Sequence, residues 1–166
     1  MNAIIVFDSK HGATADIAAR IAEKLGPGVS LVYLRDKGAE RVDLADADLV
    51  VLGGPVYAGS WSKRAAAFAH RRERDLAGKA FAYFCCGMNV AEGTAAAAAA
   101  LPRSLAEKAV AAAKLGGEIR WERMNWLERV VIKAITGGRG DRSAADPAAI
   151  DAFAARAAGA ASAAAK

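Results

Sequence analysis

The residues best suited to chemistry in this sequence lie near its start, in the turn S-K-H-G-A-T at positions 9–14. The turn follows an apolar run at positions 3–7, which is typical of a buried strand. Apolar residues then recur from 17 to 25 with the spacing of one helix face. Backbone amides and the positive end of a helix dipole gather where a strand turns into a helix. The turn is therefore suited to binding a phosphate group.

Individual side chains of this turn favour the same interpretation. Ser9 and Thr14 offer hydroxyl groups, and Lys10 offers a positive charge. Gly12 allows a positive φ or a close approach of a ligand to the backbone. His11 either bonds a phosphate oxygen or faces solvent. The alternative is an ordinary turn in which Ser9 or Thr14 only caps the helix, and the glycine patterns of dinucleotide and nucleoside-triphosphate loops are absent.

A second loop, G-G-P-V-Y-A-G-S-W at positions 53–61, follows an apolar strand at 49–52. Its two aromatic residues, Tyr57 and Trp61, can lie against the faces of a flat, redox-active ring. A glycine here lets the Ala58–Gly59 peptide reorient when such a ring changes its protonation. The alternative for Trp61 is a place in the core or against the next helix.

A third loop, C-G-M-N-V-A-E-G at positions 86–93, follows the strand expected at 79–85. Its backbone amides would face the polar edge of the same ring. Asn89 is either a side-chain partner of that edge or a simple turn residue. Cys86 is either redox-sensitive beside the ring or a buried, inert thiol.

The remaining chain alternates strands with helices, which predicts one α/β domain over residues 1–166, an open parallel sheet covered on both faces. Ligands bind such sheets beyond the carboxyl ends of the strands, where the three loops would converge. The other expected elements are a strand at 29–34, a loop with a short helix at 36–47, a helix at 62–74 with Phe68 inward, an alanine-rich helix at 94–113 interrupted at Pro102, a fifth strand at 117–121, and a last helix at 146–165 with Asp146 as N-cap and Pro147 in its first turn.

The three loops resemble the FMN-binding loops of the flavodoxin superfamily, and the resemblance covers nearly the whole chain. It implies a doubly wound, five-stranded parallel sheet in the order 2-1-3-4-5. It also implies FMN as the cofactor, which carries the electron chemistry, so no catalytic side chain is assigned. The cofactor-binding residues that follow from the loops and the resemblance are Ser9, Lys10, His11, Gly12, Ala13, Thr14, Pro55, Val56, Tyr57, Ala58, Gly59, Trp61, Cys86, Gly87, Met88 and Asn89.

The tail narrows the resemblance to one branch of this superfamily. The stretches G-G-E-I at 116–119, N-W-L-E-R-V-V-I-K at 125–133 and G-G at 137–138, with Asp141, resemble the branch that includes menaquinone-dependent protoporphyrinogen oxidase. Members of that branch carry an inserted segment before the last helix, placed here at roughly 121–145. The branch implies an FMN-dependent oxidoreductase that passes electrons from a reduced substrate to a quinone. The chain departs from the branch in having Asp146-Pro147 where an aromatic residue is frequent.

Within the inserted segment, Trp126–Ile135 carries apolar residues that form one stripe on a short helix, flanked by arginines and lysines. One interpretation is that this stripe packs on the core of the domain. The other is that it makes peripheral contact with a membrane surface or covers a quinone-sized substrate near the flavin.

The charge of the chain indicates an anionic partner. The net charge is +5 and the isoelectric point is near 9.4. A porphyrinogen carries propionates that arginine and lysine would suit. An acidic redox protein is the alternative, and it would make the chain a soluble electron carrier. A non-catalytic flavin-binding module is a third possibility. No nucleic-acid-binding motif is present, so nucleic acid is not an expected partner.

The cysteines bear on the expected location. Cys85 and Cys86 are neighbours on a strand and point to opposite faces, so a mutual disulfide is not expected. A reduced, cytoplasmic setting fits best, with peripheral contact at the inner face of the cell membrane as a second expectation. From the sequence we expect neither a leader nor a membrane-spanning segment, and no histidine or cysteine has the spacing of a metal site.

Overall fold

The computed structural model describes residues 1–87, 93–116, 118–119, 142–143 and 145–164. Its elements in chain order are β1 (Ala3–Phe7), α1 (Ala13–Leu25), β2 (Val29–Tyr33), a short 3-10 helix (Ala39–Arg41), β3 (Leu49–Tyr57), β4 (Ser60–Trp61), α2 (Lys63–Arg71), α3 (Glu73–Ala77), β5 (Ala80–Cys86), α4 (Gly93–Ala100), α5 (Arg103–Lys108), β6 (Ala111–Lys114), β7 (Glu118–Ile119), β8 (Arg142–Ser143) and α6 (Pro147–Ala164).

Among these elements, five parallel strands form one sheet in the order β2-β1-β3-β5-β6, and the short β4 pairs antiparallel with β3. Counting the parallel strands alone, this is the predicted order 2-1-3-4-5. The predicted α/β fold is therefore confirmed. Alternate residues of each strand feed two cores. Ile5 of β1 packs on the side of α1 and α6, whereas Val6 packs on the side of α2 to α5.

The fifth parallel strand corrects the prediction. We expected it at 117–121, with 94–113 as one interrupted helix, but the strand is Ala111–Lys114, paired with β5 from Ala82 to Cys85. Alanine alone favours a helix, yet pairing with a fully buried strand overrides that modest preference. The predicted break at Pro102 does separate α4 from α5.

Helix ends follow the sequence signals in two places. Ser62 caps α2 by accepting the Ala65 amide at 3.2 Å, although the helix expected at 62–74 is divided into α2 and α3. Asp146 caps α6 through bonds to the amides of Ala148 and Ala149, at 3.0 and 3.2 Å. Side-chain oxygens at these positions satisfy amides that the helix cannot bond internally.

The inserted segment falls mostly outside the described residues, and the apolar stripe Trp126–Ile135 lies outside them entirely. The backbone flanking it is described. Glu118–Ile119 and Arg142–Ser143 form a separate antiparallel pair of strands. The described part of the chain contains no helix of the length and apolarity needed to cross a bilayer.

Candidate functional site

The turn after β1 is stabilised from inside by Ser9. Its side chain is buried, and Oγ accepts the amides of Gly12 at 3.1 Å and Ala15 at 3.4 Å. Gly12 occupies the N-cap position of α1 with a φ of 95°, which an L side chain adopts only with strain. Thr14 is buried within the first turn of α1 and is not the cap. Of the two residues considered as caps, Ser9 is therefore the one whose side chain bonds the amides of the turn, and it precedes the helix in the chain.

The helix start supplies donors suited to an anion. The amides of Ala13 and Thr14 belong to the first turn of α1, where helix geometry provides no internal acceptor. A cavity of about 280 Å³ adjoins this turn. Its lining residues are Phe7, Ser9, Lys10, His11, Gly12, Ala15 and Tyr33. Lys10 adds an exposed positive charge. A donor set of this kind beside an open cavity fits a phosphate group.

Beneath the turn lies a buried acid that the sequence interpretation did not include. The Asp8 carboxylate accepts the Arg35 Nε–H at Oδ1 and the Ser62 hydroxyl at Oδ2, both at 2.7 Å. The Tyr33 hydroxyl donates to the Ser9 carbonyl at 2.5 Å. The signal in the sequence was a charged residue immediately after an apolar strand. Its partners were not visible because Ser62 is 54 residues away.

The first two predicted loops and the described start of the third, Cys86 and Gly87, lie at the carboxyl edge of the sheet. The Asp8 amide donates to the Gly53 carbonyl at 3.0 Å, which joins the first turn to the second loop. The rings of His11 and Tyr57 meet edge to face with centroids 6.3 Å apart. A hydrogen bond between the side chains of Thr14 and Cys86 joins the first turn to the start of the third loop.

The second loop forms a tight hairpin between β3 and β4. Ala58 and Gly59 both have positive φ, of 46° and 74°, as the two central residues of a right-twisted hairpin require. Tyr57 precedes this turn with 51% of its surface exposed. Pro55 is buried and Val56 is half-buried in β3, so these two contribute backbone and support more than exposed surface.

The described start of the third loop is held in place by one backbone hydrogen bond. Gly87 donates its amide to the Gly116 carbonyl at 2.8 Å, which joins the loop to the end of β6. Met88 and Asn89 lie outside the described residues, so their predicted contacts with a flavin stay predictions.

Residues 4–146 match the sequence model of the flavodoxin domain. The chain belongs to the flavodoxin domain family. No curated protein matches it in sequence. Flavodoxin domains bind FMN, so the family agrees with the cofactor predicted from the three loops.

Solved structures share the fold of this flavodoxin domain at low sequence identity. Oxidised flavodoxin 2 from Bacillus cereus is 22% identical over 96% of this chain and 99% of its own, with a TM-score of 0.62. A flavoprotein from Lactobacillus acidophilus in complex with FMN is 14% identical over 68% of this chain and 92% of its own, with a TM-score of 0.51.

A third similar structure belongs to a larger protein. The rubredoxin oxygen:oxidoreductase of Desulfovibrio gigas is 17% identical over 98% of this chain, with a TM-score of 0.65. This chain spans 36% of that protein's length. At these identities the three likenesses establish the fold of the domain and nothing further.

Trp61 does not present a face at the site of this flavodoxin domain, which corrects its expected place against a ring. Its side chain is 3% exposed, and Nε1 donates to the Gly54 carbonyl at 3.1 Å. The indole also packs edge to face on Tyr83 in the core. A Cβ added to Gly54 would lie 3.0 Å from the indole nitrogen, so the glycine makes room for the tryptophan. The core alternative considered from the sequence is the one that the structure shows.

The cysteines of the flavodoxin domain are buried and form no disulfide with one another. Burial raises the pKa of Cys86 to about 12, although the hydrogen bond with Thr14 opposes the shift. Burial likewise raises the pKa of Cys85 to about 11, against the nearby charge of Lys114. Thiolates are the reactive form, so both residues are inert near neutral pH.

Proposed function

We propose that this chain binds FMN at the carboxyl edge of its sheet and acts as an oxidoreductase. In this role the chain would take electrons from a reduced substrate and deliver them to a quinone or another acceptor. The observation that carries the proposal is the meeting of the phosphate-suited turn with Tyr57 at one edge of a flavodoxin domain. No side chain is needed as a catalyst, because FMN when bound supplies the reversible uptake of electrons.

The residues of the chain divide the work of binding. The amides of the first turn and the side chains of Ser9 and Lys10 hold the phosphate. Tyr57, which is half exposed, would stack on one face of the ring when FMN is bound, and such stacking contributes about 0.5–1.5 kcal/mol beyond the buried area. From the sequence we assign the backbone of the loop that begins at Gly87, together with Met88 and Asn89, to the polar edge of the ring that a bound FMN would present.

The positive charge of the chain supports two-electron reduction of a bound flavin. Opposite unit charges 4 Å apart attract by about 1 kcal/mol in water and by several kcal/mol at lower effective dielectric. The chain has a net charge of +5, and the buried charge of Asp8 is paired with Arg35. A positive surrounding that includes Lys10 favours the anionic, fully reduced flavin and therefore two-electron reduction.

Our proposals for the substrate and the cellular location rest on the resemblance of the tail to the branch that includes menaquinone-dependent protoporphyrinogen oxidase. We propose an anionic, porphyrinogen-like substrate, for which propionates and basic side chains are complementary. Trp126–Ile135 would contact a membrane surface or the quinone. If the wild-type protein and Trp126→Glu are folded to the same extent, a larger fraction of the wild type should sediment with liposomes. Equal sedimentation would remove the membrane contact from the proposal.

A soluble electron carrier that docks on an acidic redox protein is the second candidate. The observation in its favour is the match with a flavodoxin of Bacillus cereus over almost the full length of both chains. The likeness supports the carrier only by analogy of fold.

Redox measurements on the purified chain separate these functions. Bleaching of the visible flavin absorbance by a reduced porphyrinogen, followed by turnover with quinone, supports the enzyme. One-electron potentials far apart, with no such turnover, support the carrier. Flavin binding with neither turnover nor a redox partner would leave a non-catalytic module and contradict the proposal.

A further inference from the structure

One buried residue, Asp8, contacts both sides of the loop that the proposed function assigns to the flavin ring, one side through its backbone amide and the other through its carboxylate. The Asp8 amide donates to the Gly53 carbonyl at 3.0 Å, where the pairing of β3 with β1 ends and β3 continues toward the hairpin. The Asp8 carboxylate accepts the Ser62 hydroxyl at 2.7 Å, where the loop ends. Asp8 itself is only 5% exposed and directly precedes the phosphate turn.

Ser62 passes this connection on to α2. Its hydroxyl donates to Asp8 and accepts the Ala65 amide at 3.2 Å, so a single oxygen links the end of β1 to the first turn of α2. Neither residue lines the cavity beside the first turn. Asp8 and Ser62 therefore connect the two binding loops without lining the cavity in which we propose that the phosphate binds.

We propose that Asp8 is a positioning residue that fixes the spacing between the phosphate turn and the ring loop, an inference that rests on the proposed function. A ligand that spans both loops gains affinity when their separation is set in advance, because the second contact becomes intramolecular. FMN spans both loops, whereas inorganic phosphate uses the first turn and riboflavin uses the ring loop.

The negative charge of Asp8 provides a second prediction, for the binding of phosphate alone. A carboxylate next to a phosphate-binding turn repels the phosphate, and Arg35 offsets this repulsion through its ion pair at 2.7 Å. Removing the charge of Asp8 should therefore leave the binding of phosphate unchanged or improve it. Removing the hydrogen bond between Asp8 and Ser62 should weaken the binding of FMN. The two effects have opposite signs and can be separated.

The experiment compares three ligands on the full chain freed of flavin. Asp8→Asn keeps the size of the side chain, while Ser62→Ala keeps the ion pair of Asp8 with Arg35 and removes only the hydroxyl. The matched control is Asp48→Asn, since the exposed Asp48 carboxylate accepts the Asn2 amide at 2.8 Å at the opposite edge of the same sheet. Inorganic phosphate, riboflavin and FMN are titrated separately.

For Ser62→Ala we expect FMN to bind about 10- to 100-fold more weakly, the range for losing a hydrogen bond to a charged group. Asp8→Asn should show a smaller loss of FMN affinity, because its amide oxygen can still accept the Ser62 hydroxyl without the charge that strengthens the bond. Each of these losses should exceed the product of the losses for phosphate and riboflavin. Asp48→Asn should change none of the three affinities. A loss of FMN affinity that equals the product of the separate losses, or no loss, would overturn the inference.

Amide exchange without ligand tests the connection independently. Asp8→Asn should speed exchange at residues 58–65 and leave α1 unchanged. A wild-type chain that binds no FMN would contradict the proposed function, and the exchange pattern would then decide on the connection alone. Unchanged exchange at 58–65 would overturn it.

Discussion

The turn after β1 and the hairpin after β3 belong to the same candidate site, but they are built differently. In the turn, Ser9 and Asp8 are buried and hydrogen-bonded on several sides. In the hairpin, Tyr57 is half exposed and Ala58 has a left-handed φ of 46°. A non-glycine residue in that region costs about 1–2 kcal/mol.

The difference separates two tasks. A preformed turn meets the fixed charge of a phosphate without rearrangement, which saves the cost of ordering it on binding. A strained, exposed hairpin is suited to a ring whose protonation changes, because strain lowers the cost of moving the peptide. The following predictions test whether the turn is rigid and the hairpin is adjustable.

The largest effect is expected at the foot of the second loop. A Cβ on Gly53 would lie 2.2 Å from the Phe84 ring, so Gly53→Ala should lower the free energy of unfolding by about 3 kcal/mol or more. Gly59→Ala meets open space in the hairpin and should cost only the left-handed strain, about 1–2 kcal/mol. Urea unfolding measures both changes, and equal losses would contradict the division into a packed and an adjustable part.

A pH effect is expected from the thiol that adjoins the packed turn. Burial raises the pKa of Cys86 from 9.0 to about 12, so the unfolded chain loses this proton at lower pH than the folded chain. Stability from this group is complete below about pH 9 and falls as the pH rises toward 12, by up to about 1.4 kcal/mol per pH unit.

The measurement is the free energy of unfolding at pH 7, 9 and 10.5 for wild type and Cys86→Ala. Cys85 and Tyr83, whose pKa values burial also raises, remain in both proteins and act as an internal control. The variant should lose less stability than wild type between pH 9 and 10.5. Identical losses would place the Cys86 thiol outside the packed region.

A smaller effect is expected for the exposed aromatic residue of the hairpin. Tyr57→Ala should change the free energy of unfolding by less than about 0.5 kcal/mol, as for most surface positions. It should weaken both FMN and riboflavin about 3- to 10-fold through lost stacking, and leave inorganic phosphate unaffected. Tyr57→Phe keeps the ring and is the control. Unchanged riboflavin affinity in Tyr57→Ala would remove Tyr57 from the ring site.

The smallest effect is expected at the strained position itself. Ala58→Gly relieves the left-handed strain at the cost of extra freedom in the unfolded chain, so it should stabilise the protein by up to about 1 kcal/mol. Ala58→Val should destabilise it, because a β-branched residue is poorly tolerated at positive φ. Thermal unfolding of both variants provides the measurement. A destabilised Ala58→Gly would show that the hairpin stores no strain.

The sequence predicted the parts of this molecule that depend on local patterns. The runs before residues 9 and 53 marked β1 and β3, and Asp146-Pro147 marked the start of α6. It misplaced the fifth strand, because the alanines at 111–113 form a strand only through their pairing with β5. Local preference cannot report a long-range pairing.

The same limit applies to the site. Ser9 and Tyr57 were identified from their loops, and the structure brings their segments to one edge. The connection from Asp8 to Ser62 joins residues far apart in the chain, so no spacing indicates it. Trp61 could not be assigned because an aromatic residue in a loop faces either a ligand or the core, and only tertiary packing decides between them.

Titration of the purified, flavin-free chain with FMN tests the central claim most directly. Loss of flavin fluorescence should reveal one FMN per chain, bound at micromolar concentration or tighter. Riboflavin should bind more weakly because it lacks the group that occupies the first turn. A chain that leaves FMN fluorescence unchanged at micromolar levels, or that binds riboflavin as tightly as FMN, would contradict the account.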